Sequence, residues 1–203
     1  FVYVRGRRAP RRVGYRVEAI GQQGSEQVMQ VVIQSVSESR LLWGKDGVSV
    51  ESERDLEQQV LVQYAPSLLI LPARMDMGQV CSGQVQMTVR NLADDSVRAR
   101  GTCSYTIELM GRQKVITPAG QFKATVLKLM RQINLPLVQM QVTIYDAYVP
   151  QRGKVAQRVV QAGRAVGLIP MDRDDEMRLS SPGSPGLPLI GGLSPPLETG
   201  DNR

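Results

Sequence analysis

Over most of its length the chain alternates apolar and polar residues with a period of two, and no segment carries a convincing helical period. Successive side chains on a strand point to opposite faces, so such a chain can fold into half-buried strands and little else. Between residues 80 and 90 the odd positions hold Cys81, Gly83, Val85, Met87 and Val89, against Ser82, Gln84, Gln86, Thr88 and Arg90. Residues 97–109 repeat the pattern with Ala99, Gly101, Cys103, Tyr105, Ile107 and Leu109 on one face. The cleanest alternation sets Val138, Met140, Val142 and Ile144 against Gln139, Gln141, Thr143 and Tyr145.

Turn chemistry separates these runs. Gly21 to Gly24, Asp46-Gly47, Asn91 to Asp95, Pro118-Ala119-Gly120 and Pro150 to Gly153 mark the breaks. About nine or ten strands joined by short turns predict an all-β meander, a strongly curved antiparallel sheet in the form of a half-barrel or barrel. An extended N-terminal arm and a C-terminal tail flank it. The expected division is a basic arm over 1–12, a β-domain over 13–170, and a Pro/Gly/Ser-rich tail over 171–203. Residues 180–196 carry too little apolar surface to offset their ordering entropy.

Composition removes several kinds of chemistry. There is no histidine among the 203 residues, which excludes Ser-His-Asp and Cys-His catalysis and makes a zinc site improbable with two cysteines. No phosphate-cradling glycine loop occurs, so neither a cofactor nor a metal is assigned. One Trp and two Phe leave the core aliphatic and disfavour base-stacking recognition of nucleic acid. No apolar run approaches the roughly 20 residues of a membrane span. The net charge of +6 is concentrated at the start, where Arg5, Arg7, Arg8, Arg11 and Arg12 could meet an anionic partner. The same residues would also serve as a solvated segment.

The two cysteines fall on the same strand face. Folding the hairpin about Leu92 sets Cys81 opposite Cys103 and Gly83 opposite Gly101, which is disulfide geometry and implies an oxidising compartment. As an alternative, both are small apolar core residues. Among the acids, Glu51, Glu53, Asp55 and Glu57, like Asp94 and Asp95, read as solvated charge on polar faces or turns. Asp146 differs, because it continues the inward set of Val138, Met140, Val142 and Ile144 and would need a partner such as an arginine or backbone donors, as a buried structural pair or, alternatively, as the mark of a ligand pocket.

Three motifs occur in order: Leu71-Pro72 with Gly78-Gln79 (LPARMDMGQ), Thr117 to Phe122 (TPAGQF), and Tyr148-Val149-Pro150 with Gly153-Lys154-Val155 (YVPQRGKV). They resemble the pattern of a bacterial envelope family, the TapB-like and related uncharacterised periplasmic proteins, whose curved sheet is similar to the lipoprotein carriers LolA and LolB. The motifs are turn chemistry: Pro118 fixes φ, Gly120 permits a positive φ, and Phe122 anchors the following strand. The resemblance implies a non-enzymatic protein of the Gram-negative periplasm or outer-membrane periphery, and it carries no catalytic residues.

The resulting expectation is an inner sheet face that holds a lipid or other apolar ligand, with Met29, Met87, Tyr105, Met140 and Ile144 as candidate contacts. Flexible methionines would suit variable apolar cargo. A different possibility is a structural subunit of an envelope assembly, bound to protein partners or further copies of itself by its arm and tail. Nucleic-acid binding through the arm ranks third.

Overall fold

The computed structural model describes residues 1–5, 9–165, 169–170 and 172–180. The protein is all-β, and no helix occurs among the described residues. Among the described residues fourteen strands form one antiparallel sheet. They are β1 (Val2–Arg5), β2 (Arg11–Arg12), β3 (Tyr15–Gln23), β4 (Glu26–Ile33), β5 (Ser37–Gly44), β6 (Gly47–Asp55) and β7 (Val60–Pro72), followed by β8 (Val80–Asn91), β9 (Val97–Thr117), β10 (Gly120–Leu135), β11 (Val138–Val149), β12 (Gly153–Ala165), β13 (Ile169–Pro170) and β14 (Arg173–Arg178).

From β3 to β12 each strand pairs with its neighbour in sequence. The far side continues as β12, β14, β1, β2, while β13 pairs only with the end of β12. The edges of the sheet are therefore β2 and β3, and only Val13 and Gly14 separate them in the chain. The Val13 amide donates to the Phe1 carbonyl (2.9 Å), and the Gln34 amide donates to the Gly14 carbonyl (2.9 Å). The sheet thus curls until its two edges meet at one covalent link, without a ladder that closes it into a barrel.

Two segments that the sequence sets outside the β-domain belong to this sheet. Within 1–12, β1 pairs with β14, with Val4 facing Glu176 and Arg5 facing Asp175. The acidic run of the expected tail is β14 itself.

The cysteine hairpin also differs from its expected register. Its turn spans Asn91 to Ser96, with Arg90 opposite Val97, so Cys81 faces Ile107 and Cys103 faces Val85. Both cysteines are free thiols. The turn lies further along the chain than Leu92, because Asp94 accepts hydrogen bonds from the Ser96 amide (3.0 Å) and hydroxyl (2.7 Å) and fixes a longer loop. Gly83 faces Tyr105 and not Gly101, and the bare backbone accommodates the Tyr105 ring, since a Cβ there would lie 2.6 Å from its hydroxyl.

The main core fills the concave face. Leu68, Cys103 and Ile107 are fully buried there beside Leu41, Val50, Val85 and Leu129. Such a face buries each strand's alternate residues at about 25 cal/mol per Å² of apolar area. A bulge at Met110, next to Gly111 at φ 80°, re-aims the end of the β9–β10 hairpin. There a second cluster forms from Ala124, Val126, Ala147, Val155 and Leu179, with Phe122 packed against it. Gly120 has φ 127°, as the TPAGQF turn requires, and Arg152 of the YVPQRGKV turn lies over the Phe122 ring at 5.5 Å.

Candidate functional site

The inner face of the curved sheet bears a partly open cavity of about 310 Å³. This is near the lower bound of the roughly 300–1,000 Å³ of small-ligand pockets. One part of its wall is apolar, with Val31, Ile33, Leu129, Val142 and Ile144. The remainder carries three groups of the same composition, each a cation, a carboxylate and a tyrosine, with the tyrosine of the first, Tyr64, standing behind the wall.

The first group joins the neighbouring strands β6 and β7 to the distant β10. Arg131 of β10 donates through Nη1 to Glu53 Oε2 of β6 at 3.0 Å, while the Tyr64 hydroxyl of β7 donates to the same oxygen at 2.7 Å. Arg131 Nη2 reaches Glu53 Oε1 at 3.4 Å, so the pair is forked. Burial works to raise the Glu53 carboxyl, but the Arg131 charge and the Tyr64 and Arg131 hydrogen bonds outweigh it and hold the group below the ordinary range. Burial and the Glu53 charge push the Tyr64 phenol well up.

The second group centres on Asp146 of β11. Its Oδ1 accepts from Lys154 Nζ (2.9 Å) and Gln157 Nε2 (2.9 Å), and its Oδ2 accepts from the Tyr148 hydroxyl (3.3 Å). A bulge at Val155 lets Lys154 face Tyr148 while Ala156 faces Ala147. Burial opposes the charge on Lys154, yet Asp146 and the nearby phenols raise its pKa above the ordinary lysine value. Burial, then Asp146, raises the Tyr148 phenol. Tyr15 of β3 stands beside this group, and burial raises its phenol too.

The third group lies where β1 meets β14. The Tyr3 hydroxyl of β1 donates to Asp175 Oδ2 at 2.9 Å, and Arg173 Nη2 donates to the Tyr3 hydroxyl at 3.0 Å. Arg173 also donates through Nε to Asp175 Oδ2 and approaches Asp55 Oδ2 at 3.9 Å. Burial, offset by Arg173 and reinforced by Asp175, raises the Tyr3 phenol.

The expected need of Asp146 for a cationic partner is met by Lys154. Glu53 and Asp55, read as solvated, face the cavity. The reason is a bulge at Glu51: Val50 pairs with Leu41 and Ser52 with Arg40, so parity flips and Glu53 follows Val50 onto the inner face. Arg131 continues the inner positions of Leu127, Leu129 and Ile133, a signal present in the alternation but lost when the strand is ended at residue 130.

Of the candidate ligand contacts, Ile144 lines the cavity. Met29 and Met87 are buried in the main core, with Tyr105 and Met140 packed against it, and none of these four borders the cavity. Of the candidate anion contacts, Arg7 and Arg8 lie outside the described residues, and Arg5 is placed in β1. Arg11 is engaged internally, paired with Glu57 at 2.7 Å and lying 5.2 Å from the Tyr3 ring centroid, and Arg12 is exposed.

No family model, curated protein or solved structure matches this chain. Among the described residues no helix is long and apolar enough to cross a membrane.

Proposed function

We propose that the chain is a non-enzymatic binding protein whose curved sheet holds a small ligand with an apolar portion. The observation that carries this reading is the cavity itself, apolar along Val31, Ile33 and Ile144 and polar where the three charged groups stand. Pockets of this mixed kind use apolar wall for affinity and a few fixed polar groups for orientation. The protonation states argue against acid–base chemistry. Lys154 is held protonated, Tyr3, Tyr64 and Tyr148 are held neutral, and Glu53 is held ionised, whereas a general acid or base works best near the ambient pH.

A place in the bacterial envelope, in the periplasm or at the outer-membrane periphery, rests on the turn motifs that resemble the TapB-like proteins. The free thiols lend it no support. A second reading, in which the sheet docks a protein partner or another copy of itself, is favoured by β3. Among the described residues that strand pairs only with β4, and it exposes Ile20, which favours its outer edge as a place for strand addition.

Binding is tested with the neutral fluorescent probe N-phenyl-1-naphthylamine. The wild-type chain should enhance its emission, and Ile144→Trp, which fills the cavity while remaining apolar, should weaken probe binding at least tenfold with the β-sheet circular dichroism unchanged. Equal binding by both proteins would place the probe elsewhere and reject the reading. A concentration-independent monomer mass in light scattering would reject self-association through β3.

A further inference from the structure

The β9–β10 hairpin has two unlike faces near its turn. Val115, Ala119 and Phe122 pack against the second cluster, and Thr117 is buried. The alternate residues Arg112, Lys114, Ile116, Gln121 and Lys123 are all exposed, Ile116 by 58%. In the ladder Lys123 stands directly opposite Lys114, Arg112 opposite Thr125, and Ile116 opposite Gln121. One face of the hairpin thus sets three cations beside a bare aliphatic side chain.

These cations do not serve the hairpin's own stability, because like charges at directly facing strand positions are destabilising. Among the described residues no carboxylate pairs with Arg112, Lys114 or Lys123, whereas Lys128 of the same hairpin is paired with Glu108 at 3.5 Å. The sequence offers no local counter-charge, since no acidic residue occurs between Glu108 and Asp146. The hairpin is held from its other side. There the Ala119 amide donates to the Leu179 carbonyl (3.1 Å), and Arg178 Nη1 donates to the Ile116 carbonyl (3.4 Å). A second exposed apolar side chain stands at its base: Met77 is 64% exposed, with its Cε 2.9 Å from where a Cβ on Gly111 would sit.

Charge alone would suit any polyanion, and the apolar side chains decide between them. Attachment to a bilayer combines attraction for anionic headgroups with burial of apolar area, whereas a nucleic-acid platform presents aromatic rings. The one aromatic near the turn, Phe122, packs against the second cluster with Arg152 over its ring. We infer that the exposed face of the β9–β10 hairpin docks on an anionic lipid surface, with Arg112, Lys114 and Lys123 on the headgroup phosphates and Ile116 in the acyl boundary. None of these residues lines the cavity, so the inference stands apart from the ligand reading above.

Sedimentation of the full chain with vesicles tests it. The wild-type protein should bind phosphatidylcholine vesicles containing about one-third phosphatidylglycerol at least tenfold more strongly than phosphatidylcholine alone, since each Lys or Arg near an anionic surface is worth about fivefold. By the same measure Lys114→Gln with Lys123→Gln should weaken binding about 25-fold. That double variant should melt no lower than the wild type, because it removes a repelling pair. Ile116→Ser should weaken binding about tenfold by withdrawing the inserted side chain. Equal binding to both vesicles, or none, overturns the inference. So does binding that the double variant retains, which would assign it to other cations such as Arg5, Arg7 and Arg8. If the lysines matter but Ile116→Ser binds like the wild type, the face reads charge alone and the lipid assignment is rejected. The comparison of vesicles uses the wild-type chain, so a poorly folded variant leaves the outcome decided.

Discussion

The polar residues of the interior are arranged so that each charge depends on its neighbour. Arg131 and Glu53 bridge strands that are four places apart in the sheet, and the guanidinium is the more deeply buried of the two. Removing one partner of a buried pair strands the other, at about 3–5 kcal/mol when both are fully buried, and Glu53 keeps some solvent contact. Arg131→Met should therefore cost about 2–4 kcal/mol in urea denaturation. The double variant Arg131→Met with Glu53→Gln should recover at least half of that loss, and a double variant as unstable as the single would refute the coupling. The acid response follows from the same pair. Because the folded carboxyl of Glu53 lies below its unfolded value of 4.5, its contribution is complete above that pH and is lost as the pH falls through the lower folded value. Denaturation midpoints measured from pH 6 to pH 3 should fall less steeply for Glu53→Gln than for the wild-type chain. Cys103 is fully buried, and burial first of all raises its thiol. In the native protein a thiol reagent should label Cys81 before Cys103, and reductant should leave the melting temperature unchanged.

At the scale of strands, β3 to β12 were legible because half-buried antiparallel strands write their two faces into alternate residues. Bulges erase that record. One extra residue at Glu51 carries Glu53 and Asp55 inward, and another at Val155 brings Lys154 beside Asp146, so the cation needed by Asp146 was readable but its identity was not. Strands β1 and β14 were hidden for a different reason. Neither alternates clearly enough to announce itself, and the pairing of the two with each other joins residues more than 170 apart, Val2 facing Arg178 and Tyr3 facing Met177. Tyr3 is 5% exposed, and burial of one such side chain is worth about 1.5–3 kcal/mol. Deleting residues 1–12 should lower the melting temperature by at least 4 °C in a chain of this size, since 1 kcal/mol corresponds to about 2–4 °C. A truncated chain that melts like the full one would make this segment the loose arm suggested by its charge.

For the whole molecule the sheet order dictates where stability resides. Strands β9, β10 and β11 lie mid-sheet, β9 and β10 share the longest ladder, and the three contribute Ile107, Leu129 and Val142 to the main core. Strands β2 and β3 lie at the edges. Amide hydrogen exchange should be slowest in β9 to β11 and fastest along the outer edge of β3, in keeping with opening energies that rise from edges to core. Uniform protection across the sheet would contradict that gradient. Almost all pairings are local hairpins, and the single long-range closure is the one between β1 and β14. During synthesis at about 5–20 residues per second, the first strand must wait about 10–35 s after it emerges before its neighbour exists. Through that interval the strands from β3 to β12 can be in place while Tyr3 and the inner face beside it stand open to solvent or to a chaperone, so the arrival of β14 decides when that side of the sheet is completed.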